Sequence, residues 1–263
     1  MTPPTASLIV VAVFGLLIGS FLNVCIVRWP ALQSVVAPRS RCPQCGGAIA
    51  WYDNVPVVSW LALRARCRRC GLGIPWRYPA VELATGAIWV AAFAAYGFGL
   101  EALRGAVFGS ILLGIAVSDA REYIIPDEFS IGGTAIGLLL AFAAGWNGHP
   151  ADPRVLPWPQ AVLGAAVGFG LLWLVAVGGA KAFGKEAMGG GDVKMMAMIG
   201  AFLGWEGVLL TLFFGAVLGT VVFLPLKLAG RDRLVPFGVF LAVAAAACWI
   251  GGADVLNWYR GLL

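Results

Sequence analysis

The sequence predicts an all-α polytopic membrane protein of about eight transmembrane helices, with one small polar insert after the first. Three observations predict it. Of the 263 residues, 60% are hydrophobic and 12% charged, with a mean hydropathy of +0.89, whereas soluble domains carry about 25% charged residues. Apolar runs recur near the ~20 residues that span a bilayer. Lys and Arg are segregated: with the N-terminus outside, 15 of the 18 fall in inside segments, the bias that sets membrane orientation. The net charge of +5 is thus a topology signal and not one of nucleic-acid binding. The 36 glycines suit close helix packing in lipid.

The first run, Ala6–Val27, has no basic residue before it and Arg28 just after it. That reads as an N-out anchor and not as a cleaved secretory signal. Residues 28–78 form the one sizeable polar segment, on the inside. Val81–Leu100, Ala102–Val117, Phe129–Trp146 and Gln160–Gly179 are the next spans. Val193–Leu203 is short, and Gly200 and Gly204 loosen its end, so a half-membrane or re-entrant helix also fits. Gly207–Leu226 and Val235–Val255 complete the set. The chain therefore divides into a first transmembrane helix at 1–27, a cytoplasmic insert at 28–78 and a larger transmembrane region at 79–263.

The insert carries Cys42-Pro43-Gln44-Cys45 and, after 21 intervening residues, Cys67-Arg68-Arg69-Cys70. Two C-x2-C knuckles at this separation match a tetrahedral four-cysteine zinc site. Gly46 and Gly71 follow the knuckles and tolerate the positive φ that wrapping a metal requires. Two disulfides are the alternative, but cytoplasmic thiols stay reduced. Zinc on Cys42, Cys45, Cys67 and Cys70 is the expectation. Four thiolates leave no open position for water, so its role is structural. The insert is poor in apolar residues, and metal binding supplies much of its folding energy. Cys25 and Cys248 lie in apolar runs and read as small buried hydrophobes. His149 stands alone and carries no assignment.

Two carboxylates mark the chemistry. Asp119 follows the apolar run Gly105–Val117, and Asp192 stands in Gly189-Gly190-Gly191-Asp192-Val193-Lys194 at the start of another. Acids at membrane depth are costly and usually functional. The topology puts both at cytoplasmic helix ends, where they can meet. Asp119 alone reads as a boundary residue or a partner of Arg121; Asp127, after Pro126, reads as a turn or capping residue of the next helix. The glycines before Asp192 allow close approach of a helix or an extended peptide. A phosphate cradle is disfavoured, because the G-x4-G-K-[ST] spacing is absent. Two carboxylates that approach cannot both ionise cheaply and share a proton. The ionised member then activates water while the protonated one polarises a carbonyl, with Lys194 placed to bias the proton.

On these residues the chain resembles the type IV prepilin peptidases, bacterial inner-membrane GxGD aspartyl proteases. The match runs in order along most of the chain. Gly19-Ser20-Phe21-Leu22-Asn23-Val24 resembles the first-helix signature. Ser40-Arg41-Cys42-Pro43-x-Cys45, Asn54-Val55-Pro56, Leu63-Arg64 and Cys67-x-x-Cys70 resemble the zinc insert, and Arg77-Tyr78-Pro79-x-Val81-Glu82 its exit. Asp119 with Ile125-Pro126-Asp127, and Gly189-x-Gly191-Asp192-x-Lys194, resemble the catalytic segments. Pro236-Phe237-Gly238 resembles the last block. Ser130 stands where Thr is usual, Ala65 where Gly is common and Val239 where Pro is common.

The resemblance implies cytoplasmic cleavage of the short basic leader of prepilins and pseudopilins, by Asp119 and Asp192, with Gly189, Gly191, Lys194 and Asp127 in support. It also implies N-methylation of the new terminal residue with S-adenosylmethionine, for which no binding motif is recognisable. A peptidase lacking the methyltransferase, and a non-enzymatic transporter or assembly scaffold with the acids as ion sites, are the other readings.

Overall fold

The computed structural model describes residues 4–146, 156–184, 188–228, 230 and 235–262; His149 lies outside them. Within these the chain is helical: α1 (Thr5–Arg28), a 3-10 turn at Trp51–Asn54, α2 (Val58–Ala62), α3 (Arg77–Tyr96), α4 (Leu100–Glu122), α5 (Asp127–Trp146), α6 (Trp158–Phe183), α7 (Gly190–Leu228) and α8 (Phe237–Arg260). The only β pairing among the described residues is two isolated bridges, Arg41 with Ala48 and Arg66 with Gly73.

Among the described residues, seven helices are long and apolar enough to cross a membrane, where the sequence predicts about eight. The difference lies in α7. Its 39 residues contain both expected runs, separated by Gly204 at φ 72° and ψ 179°. The α-helix is broken there by a conformation glycine alone adopts cheaply. The first half, up to Leu203, is roughly 20 Å long, short of the ~30 Å hydrocarbon core. The run Val81–Leu100 is cut by Gly97, at φ 75°, which ends α3 and separates it from α4. Helix α4 in turn continues past Val117 to Glu122, so Asp119 lies inside the helix and not after it.

Contacts divide the chain into two units, 1–114 and 115–263. In the first, α1 lies on α3 so closely that a Cβ on Gly15 would stand 2.9 Å from the Gly86 Cα, and one on Gly19 2.7 Å from the Glu82 Cα. Lipid offers no hydrophobic drive between helices, so small residues that permit van der Waals contact carry the packing. Val11, Trp89, Ala92 and Ala106 form a buried cluster, and Trp89 Nε1 donates to Ser110 Oγ at 3.1 Å. Cys25 is buried here.

In the second unit α6 and the first half of α7 touch backbone to backbone. A Cβ on Gly200 would lie 2.0 Å from the Gly164 carbonyl oxygen, and one on Gly168 2.2 Å from that of Met196. The α7 second half packs on α8 through Gly215 against Leu241, with Cys248 buried. Met195, Met196, Met198, Ile199 and Phe202 are fully buried, so the first half of α7 is the centre of this unit and carries Asp192 at its head.

Candidate active site and metal centre

Asp119 sits near the end of α4 and is 5% exposed. The helix closes just beyond it: the Tyr123 N–H donates to the Asp119 carbonyl, and Tyr123 takes a φ of 54°. The chain thereby turns through Ile125 and Pro126 into α5. The Val239 N–H, in the first turn of α8, donates to Asp119 Oδ2 at 3.2 Å. Proline, common at this position in the family pattern, has no N–H to give, so this bond belongs to a chain with Val239.

Asp192 occupies the first turn of α7 and is half-buried. Its carboxylate folds back over the helix start, where a Cβ on Gly189 would meet its Oδ2 at 3.3 Å. The Asp119 and Asp192 carboxylates are close enough for the charge of one to act on the other.

One side chain and two glycines set this approach. A Cβ on Gly191 would lie 3.0 Å from Ile125 Cβ. A Cβ on Gly238 would lie 2.8 Å from Ile125 Cδ1 and 2.9 Å from Asp119 Oδ2. Helices α7 and α8 thus close on the α4–α5 turn only because both positions lack a side chain. The supporting roles of Ile125, Gly238 and Val239 are not readable from motif spacing. The block Pro236-Phe237-Gly238 was the signal, without its partner. Lys194 goes elsewhere: its Nζ donates to both oxygens of Asp127, at 2.7 and 2.9 Å. Asp127 opens α5, so this exposed pair ties α5 to α7.

In the first unit the cysteine pairs form two copies of one loop. The Cys42 N–H donates to the Gly47 carbonyl and the Gly46 N–H to that of Cys42; the Cys67 N–H donates to Leu72 and the Gly71 N–H to Cys67. Gly46 and Gly71 have φ of 65° and 71°. The N–H groups of Cys45 and Gln44 bring the Cys42 thiol down to about 6. Those of Cys70 and Arg69 lower Cys67 likewise. The Leu72 amide favours the Cys70 thiolate, but desolvation and the neighbouring thiols outweigh it and push this thiol up to about 11.

The four sulfurs all lie within 4.8 Å of one another, with Cys42 Sγ and Cys70 Sγ 3.7 Å apart. None forms a disulfide. A tetrahedral ion with bonds of ~2.3 Å to sulfur sets its ligands about 3.8 Å apart. The cluster can therefore hold a metal ion. Arg68, between the last two cysteines, clamps Asp53 through Nε at 2.9 Å and Nη2 at 2.6 Å. This bidentate bond holds the Asp53 carboxyl below the usual range. Ala65 adopts a φ of 56°, which accounts for glycine being common there.

Fold and site define a multi-pass helical membrane protein that carries a carboxylate pair and a four-cysteine centre. Residues 13–96 match the model of the bacterial peptidase A24 N-terminal domain, and residues 106–224 that of the type IV leader peptidase family. A prepilin leader peptidase/N-methyltransferase of Myxococcus xanthus is 43% identical over 217 residues, covering 82% of this chain and 62% of that protein. Proteins of the same name from Xanthomonas campestris and Pseudomonas putida are each 33% identical, over 274 and 277 residues. The first alignment covers 93% of this chain and 91% of the relative, the second 96% and 93%. The chain spans less than two thirds of the Myxococcus relative's length but nearly all of the other two. It belongs to the type IV leader peptidase family. No solved structure matches it.

Proposed function

We propose that this protein cleaves the basic leader of type IV prepilins or pseudopilins with Asp119 and Asp192, and N-methylates the new terminal residue with S-adenosylmethionine. The observation that carries the reading is the approach of two carboxylates from α4 and α7, held by the turn at Ile125 and the glycines that face it. The pair shares a proton. The ionised carboxylate takes a proton from water as it attacks the scissile carbonyl. The protonated one donates to the carbonyl oxygen, and the amine leaves with a proton when the C–N bond breaks.

The domain division is a first helix at 1–27, an insert at 28–78 and a peptidase region at 79–263. The metal is zinc, bound by Cys42, Cys45, Cys67 and Cys70 in a closed shell that supports the insert and takes no part in hydrolysis. S-adenosylmethionine supplies an electrophilic methyl group. The protein lies in the bacterial inner membrane, N-terminus outside and both carboxylates toward the cytoplasm. The distribution of Lys and Arg supports this orientation. It also suits the substrate, whose basic leader stays inside while its apolar helix occupies the bilayer.

Intact mass of a prepilin treated with purified protein and S-adenosylmethionine tests the reading. Loss of the leader with gain of one methyl is expected. Loss alone leaves a peptidase without the transferase; no change leaves the transporter or scaffold.

The role of Gly238 gives a sharper check. Gly238→Ala puts a methyl against Asp119 Oδ2 and Ile125. Small misplacements of reacting groups are costly, so kcat for cleavage is expected to fall about 10- to 100-fold, with little change in KM. Unchanged kcat would remove Gly238 from the site.

A further inference from the structure

A cavity of about 610 Å³ opens in the first unit between the ends of α1 and α3 and the cysteine insert. That volume suits a small organic ligand, and peptide hydrolysis does not use it. Three sequence blocks that the carboxylate pair leaves unexplained converge on it. From the first-helix block, Gly19 packs on the Glu82 backbone, Ser20 lines the same cavity as Glu82, and Asn23 Nδ2 donates to the Tyr78 carbonyl at 3.0 Å. After Asn54-Val55-Pro56, the Val57 N–H donates to Glu82 Oε2 at 2.7 Å. Glu82 itself closes the block that leaves the insert.

Two features separate this cavity from ordinary packing. Glu82 is 8% exposed, yet among the described residues no basic side chain pairs with it. A buried carboxylate without a counter-charge is costly: it takes up a proton, or it stays ionised where a cation seats beside it. Val57, whose amide holds this carboxylate, has φ 60° and ψ −48°. A β-branched residue there is a genuine outlier, kept only where its surroundings over-determine it, as at ligand sites. Arg41 and Arg69 also line the cavity, and arginine suits a carboxylate. The cavity thus asks for a molecule with a cationic centre and a carboxylate.

We propose that this cavity binds the methyl donor, with Glu82 as the seat of its sulfonium cation. The assignment rests on the methyltransferase reading above. Its test is isothermal titration of the full-length, zinc-loaded protein in detergent, with S-adenosylmethionine and with its neutral demethylated product, S-adenosylhomocysteine. The protein is expected to prefer the sulfonium by about tenfold or more. Glu82→Gln erases the preference, leaving the affinity for the neutral compound and the zinc content unchanged; Glu82→Asp keeps part of it.

Hydrogen exchange gives a readout that needs no variant: S-adenosylmethionine slows exchange at Val57 and the amides around it. An undiminished sulfonium preference in Glu82→Gln, or protection confined to other segments, overturns the assignment. So does a variant that loses affinity for a peptide with a free terminal amine instead, because the cation is then the substrate's. The methyltransferase reading fails by a different result, a wild-type product that gains no methyl.

Discussion

Asp119→Asn and Asp192→Asn are each expected to lower kcat for leader cleavage by about a thousandfold, the scale of a lost general acid or base. The asparagines fill the same space, so the buried site on α4 and the helix start on α7 stay intact. What disappears is the shared proton: an amide can neither take a proton from water nor pass one to a carbonyl oxygen. The double variant is expected to be hardly worse than the worse single one, because residues that act as a unit do not add. Asp127→Asn is the contrast. Its exposed pairing with Lys194 is worth about 1 kcal/mol at most, and cleavage should change only a few-fold. Single-turnover assays on purified protein measure all four. If either aspartate variant cleaved within tenfold of the wild type, the paired-carboxylate mechanism would be wrong.

Loss of the metal is the second large effect. Cys42→Ser or Cys67→Ser removes one of four sulfurs that lie within 4.8 Å of one another. Structural zinc contributes roughly 10–16 kcal/mol of apparent binding energy in small domains. The insert has little else to hold it: a five-residue helix, a 3-10 turn and two isolated bridges. Zinc content measured by emission spectrometry is expected to fall to zero, and trypsin to cut at Arg64, Arg66, Arg68 and Arg69. The larger functional loss falls on methyl transfer, since the supports of Asp119 and Asp192 all come from residues 115–263. A Cys42→Ser protein that keeps its metal and resists trypsin would show that the cluster does not depend on four ligands.

Much of this protein is legible in its sequence, because the bilayer allows few solutions. A backbone that must satisfy its own hydrogen bonds in lipid becomes helical, so apolar run length alone locates the spans. The cysteine centre is equally legible: two C-x2-C loops closed by glycine are local structures, and their spacing is their geometry. Asp119 and Asp192 stand out because acids rarely occur beside such runs. The eight runs appear as seven helices because two of them, already separated in the sequence at Gly204, lie in the one element α7, which breaks at that glycine.

What only the tertiary structure decided is which distant residues meet. Gly191 and Gly238 both face Ile125, and the Val239 amide, 120 residues further along the chain, reaches Asp119. Lys194 joins Asp127, and the first-helix block, the Val57 amide and Glu82 close one cavity. Spans, knuckles and acids beside apolar runs follow from local composition, which one chain segment carries by itself. These meetings depend on helix rotation and on approach distances within a few ångströms, which arise only when separate helices pack.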